Sequence, residues 1–547
     1  MKLPSHRRTT PAKASVTKPF VNIPVTKVSA DDVISSLPDD ILLNILDRLN
    51  VRDATRTSIL SRRWSQLSAM LPRLSITAQD VLPSKSKTGT TNKKTTTKAS
   101  ISKDVLVRRT NAAVVKAARS ILARRDLGGR SIRLFSATFY LRDDAPMSVG
   151  CAVGNAMATC KIDKTEFTIL TEKEHIKCTA NDLVNYAARF VSFFQECPHA
   201  FVGLTRLYLE NLRFAESDFV SNIIITCKQL ECLKFVNCST KSWITLHVEH
   251  AQLSELSIVN CRFDMVKLTW LPKLNRLAFE YWMMSFQEPP LSIGYAPLLK
   301  ALSLSNVYRT WHKTVEISKF LYETSIQDLR DLRLGFKYEK IWVQPERLTK
   351  RLTSVFQQLR IANLVDIPEG YDLTWTMFIL EAAPSLEELY MKVMHHPCEM
   401  QMNPEIRREH LYSNNKGVEW KSPTSNFKHR RLTKFILFGF QVNDYMVNHV
   451  RRILKATVNL QDIYLYDRLI CPKCPAKQRY AHVYNTRVCD TGMIRFPLIN
   501  EERRLVQQRM FRRIKSLAVI HFLRADEIRD EHWPRIAGDS LRAREDS

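Results

Sequence analysis

Between Pro38 and Pro72 the apolar residues follow a helical rhythm. Ile41, Leu42, Ile45, Leu46 and Leu49 recur at the spacing of one broad helical stripe. Ser36, three residues before Asp39, reads as a capping-box-like start, with Pro38 in the first turn and Asp39 and Asp40 at the positive end of the helix dipole. A second short helix is predicted from about Asp53 through Leu60, and a third from about Arg63 to Met70, carrying Trp64 and Leu67 and ended by Pro72. A unit of roughly 40 residues is too small for a self-sufficient core. Each Leu, Ile or Trp it leaves exposed forgoes roughly 1.5 to 3 kcal/mol of burial, so a second surface has to cover what it cannot.

Further along, the period changes. "LTRLYLENL" from Leu204, "LECLKFVNC" from Leu230 and "LSELSIVNC" from Leu253 share the spacing LxxLxLxxL/N/C, and it recurs from Leu274, Leu299, Leu329, Phe356, Leu386, Leu432 and Leu460. Successive units start 26, 23, 21, 25, 30, 27, 30, 46 and 28 residues apart, an irregular leucine-rich repeat. In each phrase the LxL pair points to one face of a short strand and the residues between point to the other. One such strand cannot bury its own leucines, so the units make sense only as a stacked solenoid. Cys238 and Cys261 stand where a repeat places the residue that supports its turn and are read as core thiols. The outward positions form a ledge of mixed charge with interspersed tyrosine: Arg206, Tyr208, Glu210, Lys234, Glu255, Arg276, Glu280, Arg333 and Tyr390. Tyrosine and arginine commonly carry hot-spot energy in protein recognition, so these are the candidate target-binding residues.

Charge changes this picture little. The 82 basic against 55 acidic residues give a net +27, but residues 1–30 and 81–110 alone supply 13 of it. Both stretches are rich in Ser, Thr and Lys and poor in apolar residues, which predicts a disordered tail and linker. They lack the aromatic interleaving of a base-stacking surface. No stretch approaches the ~18 apolar residues of a membrane span and the N-terminus lacks a secretory apolar core, so an intracellular protein of nucleus or cytoplasm is expected. Twelve scattered cysteines suit a reducing compartment.

The string "LPDDILLNILDRLNVRDATRTSILSRRWSQL" resembles the F-box, in the plant form with a Leu-Pro opening and a "TSxLSxRW" stretch, here Thr57, Ser58, Leu60, Ser61, Arg63 and Trp64. The resemblance implies helices that dock on a Skp-type adaptor and so tether the chain to a cullin-RING ubiquitin ligase. Leu37, Pro38, Ile41, Leu42, Ile45, Leu49, Leu60 and Trp64 are then the candidate adaptor-binding residues. "LTKFILFGFQVNDYMVNHVRRILKATVNLQDIYLYD" and the later "NEERRLVQQRM" are similar to the FBD region that follows the repeats in many plant F-box proteins, although "QVNDY" replaces the expected loop glycine and acid. The expected fold is α/β: a basic tail (1–30), a three-helix F-box (31–74), a basic linker (75–103), an irregular leucine-rich-repeat solenoid (104–425), an FBD-like α/β region continuing it (426–525) and a flexible tail (526–547).

Candidate chemistry is thin. "CPKC" at Cys471 and Cys474 is a zinc half-site, but His482 and Cys489 do not form the close second pair a structural site needs, so no metal and no cofactor is expected. "HHPC" at His395 to Cys398 sets adjacent side chains in a loop, badly placed for nucleophile and base. No phosphate-cradling glycine loop, HExxH or GxSxG occurs. The sequence therefore reads as a non-catalytic substrate receptor of a Skp-cullin-F-box ligase, with a target protein held on the solenoid. The rival reading is a basic leucine-rich-repeat scaffold associated with nucleic acid and unconnected to ubiquitination.

Overall fold

The structure, a computed structural model, describes residues 34, 36–77, 103–124, 131–282, 290–307, 316–317, 326, 328–337, 342–344, 350–368, 373–394, 427–467, 496–524, 526–529 and 531–532. The expected basic tail, most of the basic linker, the "HHPC" stretch, and Cys471, Cys474, His482 and Cys489 lie outside the described residues.

Three short helices open the chain: α1 (Asp39–Leu46), α2 (Val51–Arg56) and, after a 3-10 turn at Thr57–Ile59, α3 (Arg62–Ala69). Pro38 sits at the cap position of α1, one place earlier than expected, and no side chain caps that helix. The other two are capped from the sequence: Asn50 Oδ1 accepts from the backbone N–H of Asp53 at 2.8 Å and Ser61 Oγ from that of Trp64 at 3.3 Å. Where a linker was expected from Ser75, the chain runs straight from α3 into strand β1 (Arg73–Ile76).

β1 is the first of fourteen parallel strands that pair in chain order. The next are β2 (Leu134–Tyr140), β3 (Thr165–Leu170), β4 (Leu204–Glu210), β5 (Cys232–Val236), β6 (Glu255–Val259) and β7 (Arg276–Trp282). They continue as β8 (Ala301–Val307), β9 (Asp331–Lys337), β10 (Ile361–Pro368), β11 (Glu388–Met394), β12 (Lys434–Phe438), β13 (Asp462–Tyr466) and β14 (Val519–Leu523). The repeat frame follows the phrases with one correction. Ile361 pairs with Asp331 and Glu388, so the leucine equivalent to Leu329 and Leu386 is Leu359, not Phe356. β2 and β3 add two repeats ahead of Leu204 that carry Phe, Ala and Ile where later repeats carry leucine.

Repeat length selects the return path. Most long units come back through helices, among them α4 (Lys103–Arg124), α5 (Ala145–Ala158) and α6 (Ala180–Glu196). The units starting 23, 21 and 25 residues apart leave less room for a helical crossover and return as a second parallel sheet, Thr245–Glu249, Met265–Trp270 and Leu291–Tyr295. A single core runs from Leu42 and Trp64 in the helices to Phe522 in the last strand.

Turns after the strands use asparagine in the left-handed region, with φ of 59° at Asn211, 53° at Asn237 and 53° at Asn260. Their side chains form a ladder, Asn237 Nδ2 donating to Asn211 Oδ1 at 2.6 Å and Asn260 Nδ2 to Asn237 Oδ1 at 3.3 Å. Beside it Cys238 Sγ donates to Leu209 O at 3.7 Å, and burial drives its pKa well above the ordinary thiol value. Both Cys238 and Cys261 are buried, as core thiols should be.

A second device recurs as His-x-x-Leu. His429 Nε2–H donates to Ala383 O at 2.9 Å while its Nδ1 accepts from the N–H of Leu432 at 3.0 Å. His250 repeats the geometry on Cys227 O at 3.0 Å and the N–H of Gln252 at 3.2 Å. His449, packed on Phe435, is buried with neither ring nitrogen hydrogen-bonded to described residues. Burial lowers the pKa of all three, for His449 to about 3. The folded chain keeps the His449 ring neutral and disfavours protonation of the other two, whereas the unfolded chain takes up the protons once pH falls below the ordinary value of 6.5. Their contribution is therefore complete above that pH and lost on acidification, at up to about 1.4 kcal/mol per pH unit for each ring. Thermal midpoints are expected to fall between pH 7.5 and 5.5, and His449→Leu should flatten that slope; an unchanged slope would contradict the burial argument.

Candidate interaction surfaces

The helical unit has two unequal faces. Leu42, Leu46, Ala54, Trp64 and Leu67 are buried and belong to the common core. Arg63 locks α3 to the start of α1, donating to Leu37 O at 2.6 Å and to Asp39 Oδ1 at 2.9 and 2.6 Å, and Arg73 pairs with Asp47 across the junction to β1. On the other side Ile41, Ile45 and Leu49 remain 44%, 41% and 43% exposed. Residues four apart share a helix side, so the first two form one apolar strip along α1, with Leu49 just beyond its end.

Of the sequence candidates, Ile41, Ile45, Leu49, Leu60 and Pro38 are exposed and Leu37 is half-buried. Leu42 and Trp64 are not part of a docking face: they are 0% and 6% exposed, and support the helices from beneath. Sequence reasoning missed Ile34 and Ile59, exposed by 58% and 85%. A continuous helix through Leu60 was expected there. The 3-10 turn instead ends at Ile59, and Ile59 and Leu60 are both turned outward. An open cleft of about 340 Å³, lined by Leu46, Leu49, Val51, Leu71, Leu74 and Leu134, lies where the helices meet the first strands.

The ledge divides as well. Arg206 and Arg276 are exposed, and Tyr208, Lys234, Glu255 and Arg333 are half-buried. Lys234 Nζ stands 5.9 Å from the Tyr208 ring centroid, and Arg206 is 3.8 Å from Glu166. Glu210 works inside the sheet: its carboxylate accepts from Thr171 N–H at 2.9 Å, Thr171 Oγ1 at 3.1 Å and Tyr208 O–H at 2.9 Å. Two ledge candidates are corrected. Glu280, 2% exposed, accepts from Ser303 Oγ at 2.6 Å, and Tyr390, 3% exposed, lies in a separate apolar cluster. Alternation placed both on the outward face; Ser303 of the next repeat then covers Glu280, and a segment after the last strand covers Tyr390.

Burial disfavours the reactive thiolate form at Cys197, Cys227 and Cys232. Burial pushes Cys227 and Cys232 up to about 12, and burial with neighbouring Cys151, whose sulfur is 3.9 Å away, does the same for Cys197. Among the described residues no group of three or more His, Cys, Asp or Glu side chains is placed to hold a metal, and no helix is long and apolar enough to cross a membrane.

Two family models match this architecture. The F-box domain matches residues 34–75, covering the three helices and most of β1. The model described as "At1g61320/AtMIF1, LRR domain" matches residues 193–491, more than half of the chain. Among Arabidopsis thaliana proteins, the chain is similar to F-box/LRR-repeat protein At3g59210, 47% identical over 53 residues, which is 10% of each chain. It is 52% identical to F-box protein At3g59150 over 48 residues, 9% of this chain and 10% of that one. Putative F-box/FBD/LRR-repeat protein At5g52460 is 49% identical over 47 residues, 9% of this chain and 12% of that one. The chain thus spans about a tenth of the length of these relatives. With three helices of the F-box type set directly on a parallel repeat sheet, the chain belongs to the family of F-box proteins carrying a leucine-rich-repeat domain of the At1g61320/AtMIF1 type.

Proposed function

We propose that the chain is the substrate-recognition subunit of a Skp-cullin-F-box ubiquitin ligase. Its helical face docks on a Skp-type adaptor, the ledge holds a target protein, and the FBD-like region at 426–525 completes the repeat stack. The observation that carries this reading is the division of the helices into a sealed and an open side. One stripe is buried in a core shared with the chain's own repeats while Ile41, Ile45, Leu49, Ile59 and Leu60 stay in water. That is the state of a unit waiting for a second molecule.

No reactive group is needed for this role. Holding a target near a ubiquitin-loaded enzyme raises the effective concentration of its lysines, and the recruited enzyme performs the transfer. The ledge cations are interleaved with acids, Arg206 3.8 Å from Glu166 and Arg276 beside Glu255 in the strand pairing, with Tyr208 among them, which suits a protein surface better than the uniform basic track of a nucleic-acid groove.

The test is reconstitution. Purified full-length chain and a Skp-type adaptor, mixed at micromolar concentration, are expected to co-elute on size exclusion as an equimolar complex and to titrate calorimetrically with a negative heat-capacity change from apolar burial. Separate elution of two folded proteins would overturn the reading.

A further inference from the structure

The far end of the ledge is already occupied. On the sheet face opposite the core, Val365, Tyr390, Ile436, Phe438, Tyr464 and Tyr466 form an apolar cluster of their own, with the Phe438 and Tyr466 rings stacked at 4.5 Å. After β14 the chain turns back across it. Leu523 and Ile528 pack on the cluster. The Arg529 guanidinium lies 4.7 Å from the Tyr464 ring centroid and donates to the Tyr464 hydroxyl at 3.2 Å. His532, 1% exposed, holds the Tyr466 hydroxyl at 2.9 Å through Nδ1, with its ring 4.8 Å from Tyr464 and 6.0 Å from Tyr390. The start of the expected flexible tail at 526–547 is therefore packed, and it is what hides Tyr390.

A simple cap would run along the open edge of β14. This segment instead crosses the sheet face from β14 back to β11, over the positions through which a repeat solenoid presents side chains to a partner. Its attachment is also that of a ligand. Its backbone-to-backbone hydrogen bonds among described residues are local, Glu527 N–H to Arg524 O at 3.0 Å and His532 N–H to Arg529 O at 2.9 Å, and its backbone meets the sheet through Arg529 N–H donating to the Tyr466 hydroxyl at 3.5 Å, while β14 is held by a full strand ladder. Beside that one long bond, side chains fix the segment: an apolar anchor, a cation over an aromatic ring, and a ring nitrogen on a phenol. Around them Lys434 pairs with Glu388 at 3.6 Å, and His521 with Asp462 at 2.7 Å. The floor is thus aromatic, with these polar side chains already partnered.

We propose that the segment from Arg524 to His532 is a built-in occupant of the target site, and that the target carries a short stretch of the same chemistry. That stretch has an apolar side chain followed directly by arginine, with an imidazole three residues beyond the arginine, as in Ile528, Arg529 and His532. The inference rests on the reading that the ledge holds a target, and it adds what that target looks like. The tethered segment competes at high effective concentration, so an incoming peptide sees only the fraction of chains whose segment has lifted.

The test uses full-length chain and a fluorescein-labelled synthetic peptide, RADEIRDEHWPR, which is the chain's own segment added in trans. Wild type is expected to bind it weakly. The released variant Ile528→Asp/His532→Ala should bind it at least tenfold more tightly, and adding Tyr464→Ser should abolish the gain. Arg529→Ala, which removes a side chain 46% exposed and so spares the fold, should give about a threefold gain. Equal affinity for wild type and Arg529→Ala, no binding by the folded variants, or binding indifferent to Tyr464→Ser would overturn the proposal. Adaptor capture, measured on the same preparations, reports separately on the F-box reading.

Discussion

The double variant Ile41→Asp/Ile45→Asp is expected to lose at least about a hundredfold in affinity for a Skp-type adaptor while its thermal midpoint stays within a few degrees of wild type. Each isoleucine is more than two-fifths exposed in the free chain, so the substitution removes little from the fold. In the proposed complex the same side chains would go out of water, at roughly 1.5 to 3 kcal/mol apiece, and a carboxylate put in their place would make none of those apolar contacts. A hundredfold corresponds to about 2.7 kcal/mol, which the two sites exceed together. The position one residue along would mislead. Leu42→Asp buries a charge at a site that is 0% exposed, and the F-box would come apart, so loss of capture would say nothing about the interface. Isothermal titration of the folded double variant decides the matter; undiminished affinity would remove the helical face from the interface.

That contrast marks where the sequence stops being informative. Periodicity placed Ile41, Leu42, Ile45, Leu46 and Leu49 on one stripe, but a stripe says only that these residues avoid water, and not which edge the rest of the chain will cover. α3 packs on α1, and the Leu42 and Leu46 edge joins a core that continues into the repeats, a long-range event with no local signature. The ledge behaves in the same way. Alternation assigned Glu280 and Tyr390 to the outward face correctly, yet Ser303 of the next repeat and the segment ending at His532 remove both from solvent. The repeats were legible wherever leucine filled the LxL pair. β2 and β3 escaped because Phe135, Ala137, Phe139, Phe167 and Ile169 do the same work without the leucine phrase. At Phe356 an aromatic three residues ahead of Leu359 imitated the phrase and shifted the frame, which strand pairing corrects. The two His-x-x-Leu turns carried a signal that could have been read, since both place an imidazole three residues before the leading leucine of a repeat.

Phe193→Ala is expected to cost about 3 to 5 kcal/mol, the range for deleting a fully buried aromatic side chain. Phe193 projects from α6 into a cluster in which its ring centroid lies 5.9 Å from Phe139, 6.2 Å from Phe167 and 5.1 Å from Phe201. There is no slack to collapse into: a Cβ added at Gly150 of α5 would come within 2.4 Å of the Phe193 ring. The cavity should therefore persist, which places the cost toward the upper part of the range. Position makes the substitution more than a stability measurement. The cluster binds β2 and β3 to the helices behind them, and β1, paired to β2, is the strand on which the F-box is mounted. In a stack whose units touch only their neighbours, weakening one junction uncouples the two sides. Urea unfolding of the variant should accordingly show an early transition of the F-box end ahead of the remaining repeats, where wild type unfolds in fewer steps. A loss below about 1 kcal/mol, or a transition that moves as one without splitting, would mean that the F-box is held to the solenoid by something other than this aromatic junction.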